Sequence, residues 1–240
     1  MAKTATRKRI VSNGEVVTTT PTNRIKSDKI VTTQGITIPR PQLQVLEVKI
    51  IGRAPLVTHA WDQKAKEMML NKQQKKARAP REEKDPVACF KAAMYRFPDG
   101  GHGVPATGFK AAMVDACRLC DGITMTLAKL LFWIESDGRS VAEGKDLVRI
   151  LRPASVPKGV EWPRMREDTP RNDNGNPDLR YRPEYNPWEA VVRVGFNAGK
   201  ISGEQVYNLL MLAGIHCGIC EMRPSSPESK TGSYGLWECH

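Results

Sequence analysis

From Trp188 to Asn197 the chain reads WEAVVRVGFN, and after Ala198, Gly199 and Lys200 it continues as ISGEQVYNLLMLAG. The first segment alternates apolar and polar residues and predicts a strand. The second repeats its apolar residues at helical spacing. Ser202 is placed as N-cap and Gln205 at the third helical position, which together form a capping box, and Gly214 closes the helix. A Gly/Ser/Pro loop and a short last strand, SYGLWEC, finish the unit. A strand feeding a capped helix and then a strand requires a sheet with a helix laid on its face, which limits the chain to folds that mix helix and sheet.

The same order occurs earlier in the chain. LQVLEVKIIG, from Leu43 to Gly52, reads as a strand with Leu43, Val45 and the following alternate positions facing a core. A helix is expected from about residue 59 to the mid-70s, with Trp61, Ala65, Met68 and Met69 as its apolar face. CFKAAMYRFP reads as a short strand, followed by the Gly-rich loop DGGHGVPATGFK. A helix begins at about residue 106, with Phe109, Met113, Ala116, Cys117 and Cys120 as its buried stripe. ITMTLAKLLFWIE and LVRILR are expected to be strands. Two strand–helix–strand units predict an α+β fold with a ferredoxin-like or RNA-recognition-type core. Residues 41–240 are expected to form one domain. Residues 153–187, dense in Pro, Asn, Asp and Arg, are too long for an ordinary connection and read as an inserted excursion. Residues 1–40, poor in large apolar side chains, read as a flexible, disordered basic arm.

Charge sharpens this division. The net charge is +11 over 240 residues. In the arm, Lys3, Arg7, Lys8, Arg9, Arg24, Lys26, Lys29 and Arg40 face only Glu15 and Asp28. Between residues 64 and 84, Lys64, Lys66, Lys72, Lys75, Lys76, Arg78, Arg81 and Lys84 face Glu67, Glu82 and Glu83. These two segments hold the whole excess, and the remaining body is balanced. Clustered cations on a neutral body suit a polyanion, because binding a phosphate backbone releases its counterions. No run of about 18 apolar residues is present, so no membrane partner is expected. The N-terminus lacks the apolar stretch of a secretory signal, and six cysteines are too few for a disulfide scaffold, which points to the cytoplasm.

Residues with chemical potential are few. Cys117-Arg-Leu-Cys120 and Cys217-Gly-Ile-Cys220 are C-x-x-C pairs, but the first lies on the apolar stripe of a helix and the two are far apart in sequence. Buried core thiols explain them better than zinc, and no metal or other cofactor is expected. His59 and His102 are the candidates for a general base in a metal-independent ribonuclease, although neither has a partner at a telling spacing. Nucleotide-binding and hydrolase motifs are absent. In the Gly-rich loop, Gly101 and Gly103 allow close backbone approach, and Lys110 lies in the helix that follows, an arrangement that can hold a phosphate. Near the C-terminus, ESKTGSYGLWE offers Lys230 beside Tyr234 and Trp237, which can stack on bases or pack in the core.

Taken together, VPATGFKAAMVDACR and ESKTGSYGLWE resemble two elements of the RAMP superfamily of CRISPR-associated proteins, in particular the backbone subunits that coat guide RNA. Pro105, Lys110 and Arg118 stand where that superfamily's helix-opening motif has comparable residues. Ala111 replaces its second glycine, and the arginine lies several residues further along. The likeness spans residues 43–125 and 188–238. The chain also looks like small proteins encoded by tailed phages and prophages. The resemblance implies an RNA-recognition-like core and a non-catalytic protein that binds single-stranded RNA or DNA along its backbone and assembles side by side as a homo-oligomer. It further implies phosphate contacts from Lys64, Lys72, Lys75, Lys76, Arg78, Lys110 and the arm. The excursion would act as a gripping thumb through Arg164, Arg166, Arg171, Arg180 and Arg182. The alternatives are a phage structural or assembly protein that oligomerises without nucleic acid, and the ribonuclease.

Overall fold

The structure, a computed structural model, describes residues 8–11, 15–18, 29–31, 37–61, 63–76, 83–170, 175–227 and 231–240. Within the arm, β1 (Lys8–Val11) pairs antiparallel with β2 (Glu15–Thr18), and β3 (Lys29–Val31) pairs with β4 (Thr37–Pro39). The body opens with β5 (Leu43–Gly52), whose bounds match the sequence reading but whose parity does not, since Leu43 and Val45 are exposed and Val48 and Ile50 face the core, and continues into the short β6 (Leu56–Val57).

The first helix, α1 (Gln63–Gln73), lies within the expected span, but its supposed apolar face is not buried. Trp61, Met68, Met69 and Leu70 are all exposed. The segment expected as a strand at CFKAAMY is instead α2 (Pro86–Ala92). Its start is dictated by Asp85, whose carboxylate accepts the Val87 N–H at 2.9 Å, and by Pro86, whose fixed φ suits a first helical turn.

After β7 (Gly103–Pro105) comes α3 (Ala106–Ala116), extended by a 3₁₀ turn over Cys117–Leu119. Its stripe is inward as expected, with Phe109, Met113 and Ala116 fully buried. ITMTLAKLLFWIE, expected as one strand, divides in two. Thr124 accepts the Leu127 N–H at 3.2 Å and starts α4 (Met125–Leu131), and the chain then extends as β8 (Phe132–Glu135). The strands β9 (Gly138–Arg139) and β10 (Asp146–Leu151) follow.

Within the 153–187 segment, β11 (Arg164–Asp168) and β12 (Arg180–Tyr185) form a ribbon that pairs through β12 with β6. The excursion therefore supplies two strands of a three-stranded sheet completed by β6. β13 (Glu189–Asn197) and α5 (Gly203–Leu212) come next. The Ser202–Gln205 capping box forms as predicted, with both reciprocal hydrogen bonds in place. The helix does not close at Gly214, because a π turn carries it to Cys217 and it ends at Gly218, with φ at 68°. Gly214 serves another purpose. A Cβ there would lie 2.5 Å from the Trp237 carbonyl oxygen, so the missing side chain lets β14 (Trp237–Cys239) cross tightly.

The main sheet has the order β14-β5-β13-β10-β7, with β8 also on β13 and β9 on β10, and its pairings are antiparallel. Helices α3 and α5 cover one face. Ala190, Val192, Val194 and Phe196 of β13 alternate into that core with Val48, Ile50, Phe132 and the fully buried Trp237. The chain is thus mixed α and β with an antiparallel sheet, as the sequence suggested. Among the described residues no helix is long and apolar enough to cross a membrane.

Candidate nucleic-acid interface

The exposed cations gather at the end of α1. Its last turn closes with Lys75 N–H to the Lys72 carbonyl at 3.1 Å and Lys76 N–H to the Asn71 carbonyl at 3.0 Å. This is a Schellman-type end in which Lys75, at φ 54°, occupies the left-handed position that glycine usually fills. Lys72, Lys75 and Lys76 are all exposed there, where the carbonyl end of the helix dipole favours positive charge. The side chain of Lys64 is not described, and Arg78 lies outside the described residues.

Among the described residues, an acid at its base ties α1 to the body. Glu143, with a side chain only 4% exposed, accepts the Trp61 N–H at 2.7 Å and lies 3.5 Å from Lys66 and 2.5 Å from Lys145. Burial alone would raise the Glu143 carboxyl. The two lysines and the Trp61 N–H outweigh that and hold it below its ordinary value. The hydroxyl of Ser140 accepts the N–H groups of Glu143 and Lys145 and so fixes the turn that carries the acid.

The Gly-rich loop is closed rather than open to a phosphate. Gly101 N–H donates to Asp99 at 2.9 Å, Gly100 N–H to the Phe97 carbonyl, and Gly103 N–H to the Tyr95 carbonyl. Arg149 reaches the same Asp99 carboxylate at 2.8 Å while stacking 4.2 Å from the Phe97 ring centroid. A Cβ on Gly101 would run into that guanidinium, so Gly101 serves internal packing and Gly103 is a buried strand residue. Lys110 is half-buried on α3, and Arg118 is exposed beside Asp115 at 3.8 Å.

The arginines of the ribbon are committed to it. Arg182 is 3% exposed and bridges Asp168 at 2.8 Å and Glu221 at 2.9 Å, while Arg180 bonds Asp178 at 2.9 Å. Directly opposite Arg182 in the register stands Arg166, a like-charge pairing that would repel if unrelieved. Asp168 takes both, and the buried Glu184 adds bonds to Arg166 and Arg164 at 2.8 Å each. Arg166 also donates to the Tyr234 hydroxyl at 3.2 Å and lies over its ring. Arg180 and Arg182, expected in a gripping thumb, and Tyr234, expected to stack on bases or pack, are thus held by ion pairs and hydrogen bonds within the protein. Trp237, considered for base stacking, is buried against Phe109. Arg171 and Lys230 lie outside the described residues.

The two histidines have separate surroundings. His59 lines a cleft of about 250 Å³ with Trp61, Lys84, Cys89, Asp178 and Arg180. His102 Nδ1 lies 3.1 Å from the buried Tyr185 hydroxyl, and Trp162 stands edge-on to its ring. Burial favours the neutral imidazole in both. The cysteines are free thiols, and among the described residues no three metal-binding side chains come together. Cys117 and Cys120 hydrogen-bond back to the Met113 and Ala116 carbonyls. Burial pushes Cys217 up to about 11 and Cys220 up to about 12, so both stay protonated in the core.

Sequence reasoning missed the sheet face that α3 and α5 leave uncovered. There Trp133 lies flat on Gly195, where a Cβ would enter the indole ring, and Val45 stands on the other side of the same glycine. The next row holds Glu47, Arg193 and Glu135. Reading Leu43 and Val45 as core residues, and FWIE as the end of one long strand, hid this face.

No protein-family model matches the chain, and no curated protein matches its sequence.

Proposed function

We propose that this chain is a non-catalytic protein that binds single-stranded RNA or DNA along its phosphate backbone and assembles side by side. The observation that carries the reading is the end of α1. Three exposed lysines are held there on a helix that buries little of itself and is anchored by an internal acid. Such an element adds little to the core, and its charge suits phosphates. The strand order also supports the ferredoxin-like part of the reading. With β5, β8 or β10, β13 and β14 taken as first to fourth strands, and α3 and α5 as the crossovers, the sheet runs fourth, first, third, second.

The phosphate path favoured here runs along α1 and the arm, not across the open sheet face, which is rich in carboxylates. The test is fluorescence anisotropy of labelled single-stranded RNA and DNA over a salt series, with the strands recovered and checked on gels. Binding is expected to weaken linearly on a log–log salt plot, with the strands intact. The combined change Lys72→Ala, Lys75→Ala and Lys76→Ala should flatten that slope by about 2, since each phosphate contact to a single strand contributes about 0.7. Absence of binding at low salt overturns the proposal. Cleaved RNA would move the case to the ribonuclease and to His59 and His102.

A further inference from the structure

Trp188 and Trp237 are fully buried, whereas Trp61 is 53% exposed on a backbone held at three points. The Trp61 N–H donates to Glu143 at 2.7 Å, the His59 carbonyl accepts the Tyr95 hydroxyl at 3.3 Å, and the Ala60 N–H donates to the Ala93 carbonyl at 2.9 Å. The indole itself makes no hydrogen bond or ring contact among the described residues. A lone exposed apolar side chain needs no explanation. This one borders a cleft.

The cleft measures about 250 Å³, and three of its lining residues, Ala60, Ala92 and Ala93, are too small to fill it. It is smaller than the sites of about 300 Å³ and upward that take drug-sized ligands, and it suits one flat ring system. The imidazole of His59 and the phenol of Tyr181 also line it and make no hydrogen bond among the described residues, so both can meet the polar edge of such a ring. On the ribbon side Lys84 and Arg180 share the carboxylate of Asp178, at 3.4 and 2.9 Å, and the trio keeps one positive charge in excess. An aromatic wall, unused polar groups and an excess cation together match a nucleobase with its phosphate.

The place of the cleft adds to this. Trp61 stands two residues ahead of Gln63, where α1 begins, and the exposed lysines lie at the other end of the same helix, about 15 Å along its axis. A strand laid along α1 from those lysines runs to the cleft. We infer that the cleft beside Trp61 takes one unstacked nucleobase of that strand, with the base against the indole and its phosphate beside the excess charge of Lys84 and Arg180. The inference rests on the proposed function and deepens it, because it adds a contact to a base where that reading has contacts to phosphates alone.

Anisotropy on the full-length protein tests it with two labelled probes, a short oligothymidylate and an abasic strand with the same number of phosphates. The wild-type chain is expected to bind the base-bearing strand about 10-fold more tightly. Trp61→Ala should bring the two strands level and leave the salt slope unchanged, since stacking releases no counterions. Trp61→Phe keeps a ring and should keep most of the preference. Ala92→Leu, which fills the cleft and leaves the indole in place, should remove it with circular dichroism unchanged. Equal binding of the two strands by the wild-type chain overturns the inference, as does a preference that survives Trp61→Ala or Ala92→Leu, and both results leave the phosphate contacts of α1 standing. Failure of either strand to bind at low salt overturns the inference and the proposed function together.

Discussion

The helices α1 and α5 are almost the same length, eleven and ten residues, yet they are helical for different reasons. A capping box starts α5, which buries Val206, Leu209 and Leu210 against the sheet. By contrast α1 has Met68, Met69 and Leu70 in solvent, carries lysines along its length and ends on a left-handed Lys75. Isolated helices of this length are marginal in water. Tertiary packing holds α5, whereas α1 depends on the contact its base makes with Glu143. Of the two, α1 is the helix available for a partner.

The sharpest break in this contrast is a pair of truncations. Leu210→Ala opens a cavity in the core and should lower unfolding stability by about 2–5 kcal/mol in a denaturant titration. The double change Met68→Ala and Met69→Ala should stay within about 0.5 kcal/mol of wild type. Equal losses would mean that α1 packs as α5 does.

A smaller effect is expected at Glu143. Its carboxyl is held below the ordinary value of 4.5, so the stability it gives is present above that pH and is lost as pH falls through its depressed folded value. Glu143→Gln should remove about 1–3 kcal/mol near neutrality and flatten the acid limb of the melting profile between the two values. An unchanged acid limb would show that the anchor lies elsewhere.

Least of all is the effect of Lys75→Gly. Relief of the left-handed backbone should favour the end of α1 by about 1 kcal/mol. Because α1 stands apart from the core, the gain should appear as slower amide exchange in α1 and not as a higher Tm. A rise in Tm would tie α1 to the global fold.

Elements with their own local signals were legible in the sequence. The β5 bounds, the α5 capping box and the α3 stripe followed from periodicity and caps. The errors fell where a neighbouring residue decided the matter. CFKAAMY looks like a strand by itself, but the Asp85-Pro86 start lies just upstream and makes it a helix. ITMTLAKLL has apolar residues compatible with either period, and the Thr124 cap settles it as helix. Gly214 looked like a terminator because glycine often is one, and only the crossing of Trp237 reveals its use. At the candidate site, composition revealed the lysines of α1 but could not separate free cations from committed ones. Arg182 reads like Lys72 and Lys76 until its acidic partners, Asp168 and Glu221, are brought together from distant positions, whereas the partner of Arg180, Asp178, stands only two residues away.

The ribbon's chain of alternating charge, from Arg164 through Glu184, Arg166, Asp168 and Arg182 to Glu221, bears on how such a chain can diverge. Each interior member answers two neighbours of opposite sign. A lone replacement strands both, and the burial of Arg182 and Glu184 makes that severe. Descendants of this sequence can therefore leave the pattern only by linked changes, a carboxylate and a guanidinium departing together or exchanging places. Positions 164, 166, 168, 182, 184 and 221 should drift as a group, while the surface lysines of α1 remain free to change one by one.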